Sequence, residues 1–90
     1  MPKPADPSPA ELGRLCLDHL AADPAQLAAF MAAAGYTPTM LRQAVGGPDL
    51  TRGLIDYFAE NEPLLLALCA NNRLEPEQFM RIWAGLYKHV

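Results

Sequence analysis

Helix start signals recur along this chain at short intervals and constrain what it can fold into. At six places a capping residue or an acid stands beside a proline or another acid: Ser8–Pro9, Asp23–Pro24, Thr37–Pro38, Pro48–Asp49, Asn61–Glu62 and Glu75–Pro76. Ser, Thr, Asp and Asn side chains accept hydrogen bonds from the free amides of a first turn, and proline fits the first helical position. Glu11 also completes a capping box with Ser8. The pattern therefore predicts six short helices.

Composition favours the same fold class. The chain has 90 residues, of which 51% are hydrophobic and 19% are charged, as expected for one compact domain rather than a disordered chain. Alanine and leucine dominate while valine and isoleucine are scarce, and this balance favours helices over strands. We predict an all-α, compact six-helix bundle over residues 8–90, preceded by a disordered lead-in over residues 1–7.

Two of the predicted helices have almost no polar side chains. In the second, about residues 25–34, only Gln26 is polar, and the stretch Leu64–Ala70 of the fifth has no polar residue. A helix without a polar face is typically buried. We therefore predict that the second and fifth helices lie at the centre of the bundle, where the alanines of the second would let a neighbouring backbone come close.

The two halves of the chain share the same order of features. When the sequence is shifted by about thirty-eight positions, the helix starts and stops coincide and Pro38 falls on Pro76. We predict two pseudo-repeated three-helix units, about residues 12–49 and 50–87, packed about a pseudo-two-fold axis. A six-helix bundle whose loops happen to share lengths is the alternative.

A set of short motifs between Phe30 and Phe79 carries a family resemblance. In order, the motifs are Gly35-Tyr36-Thr37-Pro38, Leu41-Arg42, Leu54 with Asp56 and Phe58, Glu62 followed by Leu64-Leu65, and Glu75-Pro76-Glu77. In this order and spacing the segment resembles small bacterial helical proteins catalogued as domain of unknown function 3572. The turn Asn71-Asn72-Arg73 departs from the Ala- and Gly-like turn expected there. The resemblance implies an all-α bacterial cytosolic protein and brings no activity with it.

Charge and hydropathy narrow the choice of partners. The net charge is −3 and the seven basic residues are scattered, so the composition disfavours nucleic acid and offers no polybasic patch for a membrane. No apolar run approaches the roughly twenty residues that span a bilayer, and the N-terminus has no signal-peptide core. We predict a cytoplasmic protein in which Cys16 and Cys69 are reduced and buried.

A degenerate helix-turn-helix is the alternative function. Residues 28–45 supply a helix, a glycine turn and a second helix at about the right lengths. The second helix, however, offers only Thr39, Arg42 and Gln43 to bases and phosphates. DNA binding therefore ranks below protein binding.

No catalytic or metal-binding motif stands out in the sequence. Cys16 and His19 stand three positions apart and Cys69 could join them, but a structural zinc site takes four such ligands and His89 lies at the C-terminal end. The only serine, Ser8, is a helix cap. We predict no catalytic residue, no metal and no cofactor.

The last helix gives the strongest functional signal. Its core stripe contains Trp83, and Met80 and Tyr87 widen the apolar arc to roughly 160° at about 100° per residue. Methionine and aromatic residues are enriched at protein interfaces. We predict that Met80, Trp83 and Tyr87 line a surface for a protein partner or for self-association, in a non-enzymatic interaction or adaptor domain. A wide core stripe in a small bundle is the alternative.

The arginines predict contacts between the two halves. Arg52 precedes Asp56 by four positions, a helical spacing worth a few tenths of a kcal/mol. We predict that Arg42 forms inter-repeat ion pairs with the acids Asp56 and Glu62. On this interpretation Arg42→Ala costs more stability than Arg52→Ala.

Overall fold

The structure is a computed structural model, and it describes residues 6–87. Over this range it contains six α-helices and no strand, so the predicted all-α class and the number of helices are confirmed. In chain order the helices are α1 (Pro9–Ala21), α2 (Pro24–Ala34), α3 (Pro38–Ala44), α4 (Pro48–Ala59), α5 (Glu62–Asn72) and α6 (Pro76–Leu86). None of these six helices combines the length and the apolarity needed to cross a membrane.

The predicted caps at the starts of the first three helices are present. At α1 the Glu11 amide donates to Ser8 Oγ at 3.1 Å, and the Ser8 amide donates to Glu11 Oε1 at 3.3 Å. The side chains of Asp23 and Thr37 each accept an amide of their own first turn at 3.1 Å. These bonds satisfy amide groups that have no partner inside the helix, and they connect positions at most three apart.

The side chain of Asn61 does not cap α5, in contrast to the prediction. Instead, Asn61 Nδ2 donates to the Tyr57 carbonyl oxygen at 3.0 Å and so caps the C-terminal end of α4. Asn72 does the same at the end of α5, where its Nδ2 donates to the Leu68 carbonyl oxygen at 2.9 Å. An asparagine amide can donate as well as accept, so its presence between two helices does not determine which one it caps.

Two helices end in left-handed residues followed by an apolar side chain. Gly35 ends α2 with a φ of 78°, and Arg73 ends α5 with a φ of 54°. The next residues, Tyr36 and Leu74, are half-buried against the core, and each donates its amide at 2.9 Å to a carbonyl five positions back. This geometry is that of the Schellman motif, and it confirms the predicted helix stop and apolar plug in both halves.

Helices α1 and α4 form the centre of the bundle. Their core side chains are fully or almost fully buried, namely Leu12, Cys16 and Leu20 on α1 and Leu50, Leu54, Ile55 and Phe58 on α4. A Cβ atom on Gly13 would lie 2.8 Å from Thr51 Cγ2 and 3.2 Å from Thr51 Cα. The two helices therefore cross at a distance that leaves no room for a side chain at Gly13. Gly13 and Thr51 occupy equivalent positions in the repeat, which itself stays a prediction.

Helices α2 and α5 lie to the side of this central pair, and this corrects the prediction of their central position. Phe30 is the only buried residue of α2, and every alanine of that helix is exposed. α5 buries Leu65, Leu68 and Cys69 on one side only. For the alanine-rich α2, the physical reason is the small size of its side chains. Burying a leucine or phenylalanine stabilises a fold by about 1.5–3 kcal/mol, whereas one methyl-sized group contributes only about 0.8 kcal/mol.

The N-terminal segment contacts α6 at residue 6, which lies within the predicted disordered lead-in of residues 1–7. The Asp6 carboxylate accepts hydrogen bonds from Arg81 Nε at 2.9 Å and from Gln78 Nε2 at 3.0 Å. The bond from Arg81, with that from Gln78, holds the pKa of the Asp6 carboxyl below its usual value. Residue 6, which the sequence analysis placed in a disordered lead-in, is therefore held by the domain, and residues 1–5 lie outside the described range.

The close crossing of α1 and α4 predicts opposite effects for two glycine substitutions. Gly13→Ala should lower the free energy of unfolding by about 1–3 kcal/mol, because the added methyl group would overlap Thr51. Gly53→Ala in α4 is the matched control: no atom lies within 4 Å of its added Cβ, so it should raise stability by about 0.5–1 kcal/mol. Urea denaturation measures both. A Gly13→Ala variant as stable as wild type would contradict the crossing.

Candidate interaction surface

One polar and aromatic cluster joins α4 to the end of α6. Asp56 on α4 accepts a hydrogen bond from Trp83 Nε1 at 2.9 Å and a second, short one from the Tyr87 hydroxyl. The Trp83 and Tyr87 rings lie beside each other with their centroids 5.3 Å apart. The structure therefore brings together two of the three residues predicted for the partner surface, and it does so around a carboxylate of the same chain.

Arg52 completes this cluster from one turn earlier on α4. Its Nη2 donates to the Leu86 carbonyl oxygen at 2.8 Å, and its guanidinium carbon lies 4.9 Å from the centroid of the Tyr87 ring. A cation that binds the last carbonyls of a helix satisfies groups without an internal partner and complements the helix dipole. We call Arg52, Asp56, Trp83, Leu86 and Tyr87 the α4–α6 latch.

The electrostatics of the latch keep the Tyr87 phenol protonated. The hydrogen bond to Asp56 raises the pKa of Tyr87 above its ordinary value of 10.0. Partial burial and the negative charge of Asp56 act in the same direction, while Arg52 acts weakly against them. A tyrosine that donates to a carboxylate loses that bond when it ionises, so the protonated form is the one that the latch favours.

The predicted partner surface on α6 is therefore partly used within the domain. Met80 and Trp83 are half-buried against the core, and Tyr87 remains 39% exposed. The polar atoms of Trp83 and Tyr87 already have a partner in Asp56. These residues hold α6 in place, and a role in binding another protein stays a prediction for them.

The predicted inter-repeat ion pairs do not form. Arg42 Nη2 donates to Thr39 Oγ1 at 3.5 Å within its own helix, and neither Asp56 nor Glu62 makes a salt bridge over residues 6–87. Asp56 instead accepts hydrogen bonds at Oδ1 from the two aromatic donors of α6. Arg52 likewise does not pair with Asp56 across one turn of α4, because its guanidinium reaches Leu86 instead.

The two cysteines are free and buried, as predicted. Burial raises the pKa of the Cys16 thiol, and the neighbouring Cys69 raises it further; burial also raises the pKa of Cys69. Thiols of this kind are poor nucleophiles. The His19 ring packs edge-on against Phe58 with the centroids 5.8 Å apart. Over residues 6–87 no three His, Cys, Asp or Glu side chains are grouped as metal ligands, and His89 lies outside this range.

A second surface was missed by the sequence analysis. Small and apolar side chains are exposed at positions i, i+3, i+4 and i+7 of both lateral helices: Ala25, Ala28, Ala29 and Ala32 on α2, and Pro63, Leu66, Ala67 and Ala70 on α5. Leu66 is 46% exposed. We call these residues the lateral face. The near absence of polar residues in both helices was visible in the sequence, but it was interpreted there as a sign of burial.

A groove lies between the two halves of the lateral face. Its lining comes from α2, the end of α4 and the first half of α5: Gln26, Ala29, Tyr57, Asn61, Pro63, Leu64 and Ala67. None of these residues is charged. Apart from the half-buried Asp56 of the latch, which adjoins Tyr57, the nearest charged residues along the chain are exposed acids, namely Asp23 at the start of α2 and Glu60 and Glu62 on either side of Asn61. We call these three residues the acidic rim.

Comparison with known proteins places the chain in a family. Residues 7–89 match the model of the family described as protein of unknown function, DUF3572. The match covers nearly the whole chain, so the chain belongs to this family, and the resemblance inferred from the motifs between Phe30 and Phe79 is confirmed. No curated protein and no solved structure matches the chain.

The hydrogen bond between Tyr87 and Asp56 predicts that the pKa of Tyr87 depends on the charge of Asp56. Asp56→Asn should lower the pKa of Tyr87, because the charged acceptor of its hydroxyl is removed. The difference in tyrosinate absorbance between each protein and its Tyr87→Phe counterpart isolates this one phenol. The folded-state pKa of Tyr87 is raised above its unfolded value. The stability that Tyr87 contributes is therefore present at neutral pH and is lost as the pH rises through the folded-state pKa. An unchanged midpoint in Asp56→Asn would contradict the hydrogen bond.

The structure reverses the order of stability losses that the sequence predicted for the alanine variants of Arg42 and Arg52. Arg52→Ala should now destabilise the protein more than Arg42→Ala, since it removes the hydrogen bond to Leu86 and a cation–π contact worth about 0.5–1 kcal/mol at an exposed site. Arg42→Ala removes only a long bond within α3 and is the matched control. Urea denaturation of both variants ranks them. The opposite order would restore the inter-repeat interpretation.

Proposed function

We propose that this member of the DUF3572 family is a non-enzymatic protein-interaction or adaptor domain, and that it docks its partner on the lateral face. The observation that carries the proposal is the exposure of eight small or apolar residues at helical spacing on α2 and α5. Single exposed apolar residues are ordinary on protein surfaces, whereas a contiguous exposed apolar patch marks an interaction site.

The shape and chemistry of the lateral face suit a protein partner. Alanine side chains let another helix approach to the short end of the usual 8–10 Å between packed helices. Leu66 supplies a larger side chain that a partner can bury, and burial of apolar area contributes about 25 cal/mol per Å². The face carries no charge that a partner would have to desolvate.

The α6 surface is the weaker of the two candidates within this function. Trp83 and Tyr87 direct their polar atoms to Asp56, so these atoms already have a partner within the domain, and Met80 is half-buried. The residues of the lateral face have no such internal task. This contrast favours α2 and α5 over Met80, Trp83 and Tyr87 as the docking surface.

DNA binding by residues 28–45 remains the alternative, and it has less support. The Gly35 turn does join α2 to α3 as a helix-turn-helix would require. However, α3 has seven residues, and Arg42 is the only basic one among them. A reader of DNA needs several basic contacts to phosphates, and the protein has a net charge of −3.

Site-specific photo-cross-linking in native cells tests the proposed docking surface. A photoreactive amino acid at Leu66 should give a discrete adduct with another protein, and the same residue at the exposed Ala84 of α6 should not. Adding Ala28→Glu to the Leu66 probe should abolish the adduct, because a long charged side chain in place of alanine would keep a partner helix from packing closely on α2. Equal adducts from both positions would contradict the proposal, as would adducts insensitive to Ala28→Glu. Salt-dependent retention of the purified protein on DNA would favour the alternative.

A further inference from the structure

The groove of the lateral face combines an uncharged lining with walls from two helices. Ala29 stands on one side and Pro63, Leu64 and Ala67 stand on the other, and the remaining lining residues are the uncharged polar Gln26, Tyr57 and Asn61. Two helices separated by an apolar groove form the surface on which amphipathic helices are recognised, with the apolar stripe of the ligand lying in the groove. The groove therefore suits a helical ligand.

The exposed charged residues that lie nearest along the chain to the groove lining are all acids. Glu60 and Glu62 flank the groove-lining Asn61, and Asp23 precedes the groove-lining Gln26 by less than one turn. No lysine or arginine occurs in α2, in the last turn of α4 or in α5. The first arginine after the lining residues of α5 is Arg73, which lies more than a turn beyond Ala67. The short sequence separation between these acids and the lining residues indicates that an occupant of the groove would lie close to negative charge.

We propose that the occupant is an amphipathic helix of a partner protein, with lysine or arginine beside its apolar stripe. The inference rests on the proposed function and specifies the partner of the same surface. The apolar stripe fills the groove, and the basic residues face Asp23, Glu60 and Glu62. Complementary charges at the rim of an interface raise the association rate and select among partners more than they add to affinity.

A second copy of this chain is a poorer occupant. Its own apolar helices, α2 and α5, have the same acids at their starts and no basic residue to place against the rim. Like charges brought together at an interface act against association. An anionic membrane surface is disfavoured for the same reason.

Binding of synthetic helical peptides to the full-length protein tests the inference. The probe is a fluorescently labelled peptide of about five helical turns, with leucine at i, i+3, i+4 and i+7, lysine beside the leucines and alanine elsewhere. The control peptide has glutamate in place of every lysine. Fluorescence anisotropy should show the lysine peptide binding at least about tenfold more tightly than the glutamate peptide, and added salt should reduce this ratio.

Two pairs of variants locate the binding. Ala67→Lys should weaken binding of the lysine peptide about tenfold or more, because it puts a long basic side chain into the groove; Ala84→Lys makes the same change on exposed α6 and should leave binding within about twofold. Glu60→Gln with Glu62→Gln should remove the preference for the lysine peptide. Asp49→Asn with Glu77→Gln removes the same charge at two exposed sites outside the rim and should retain the preference. Thermal unfolding confirms that all four variants fold.

The outcomes separate this inference from the proposed function. Equal binding of both peptides, or equal effects within either pair of variants, would overturn the inference. So would the absence of binding to either peptide, or light scattering that shows a dimer which Ala67→Lys dissociates. If the Leu66 adduct still forms in cells and remains sensitive to Ala28→Glu, the lateral face binds a partner of different chemistry and only the nature of the occupant is wrong. If that adduct is also missing, both proposals fail.

Discussion

The close crossing of α1 and α4 is the constraint on which the rest of this structure depends. Gly13 lies against Thr51 with no space for a Cβ atom, so the two helices pack at short range and bury their leucine, isoleucine and phenylalanine side chains together. The other helices then pack around this pair. α2 reaches the core mainly through Phe30, while α6 has Phe79 as its one buried side chain. A domain of this size has room for only one such centre.

The exposure of the lateral face follows from that arrangement. Burial of an alanine side chain contributes little free energy. Helices with larger side chains therefore occupy the centre, and the alanine-rich α2 lies outside it. The result is an uncharged helical surface with a groove, and the acids Asp23, Glu60 and Glu62 lie within three positions of its lining residues along the chain. α4 has the opposite character, since its residues serve the core on one side and bind the end of α6 on another. Trp83 and Tyr87 thereby have a structural task, which leaves the lateral face as the better candidate for function.

The candidate site was harder to predict from sequence than the fold. The motifs between Phe30 and Phe79 identified the family, and the helix starts located every helix. The same reasoning assigned Arg42 to Asp56 and interpreted α2 as buried, and the structure contradicts both assignments. From the sequence Asp56 was predicted to pair with Arg52 or Arg42, whereas the docking of α6 brings Trp83 and Tyr87 to it instead.

The sequence by itself determined the local structure of this protein. The caps at Ser8, Asp23 and Thr37 and the left-handed residue at Gly35 act through hydrogen bonds between residues at most five positions apart, so a short stretch of sequence is enough to predict them. Tertiary structure decided which helices are central, which acid binds Trp83 and which apolar stripe meets solvent. Those outcomes depend on competition among six helices for one core, and the energies of that competition come from side chains far apart in sequence. The sequence pattern of an apolar stripe is the same whether the fold buries that stripe or exposes it.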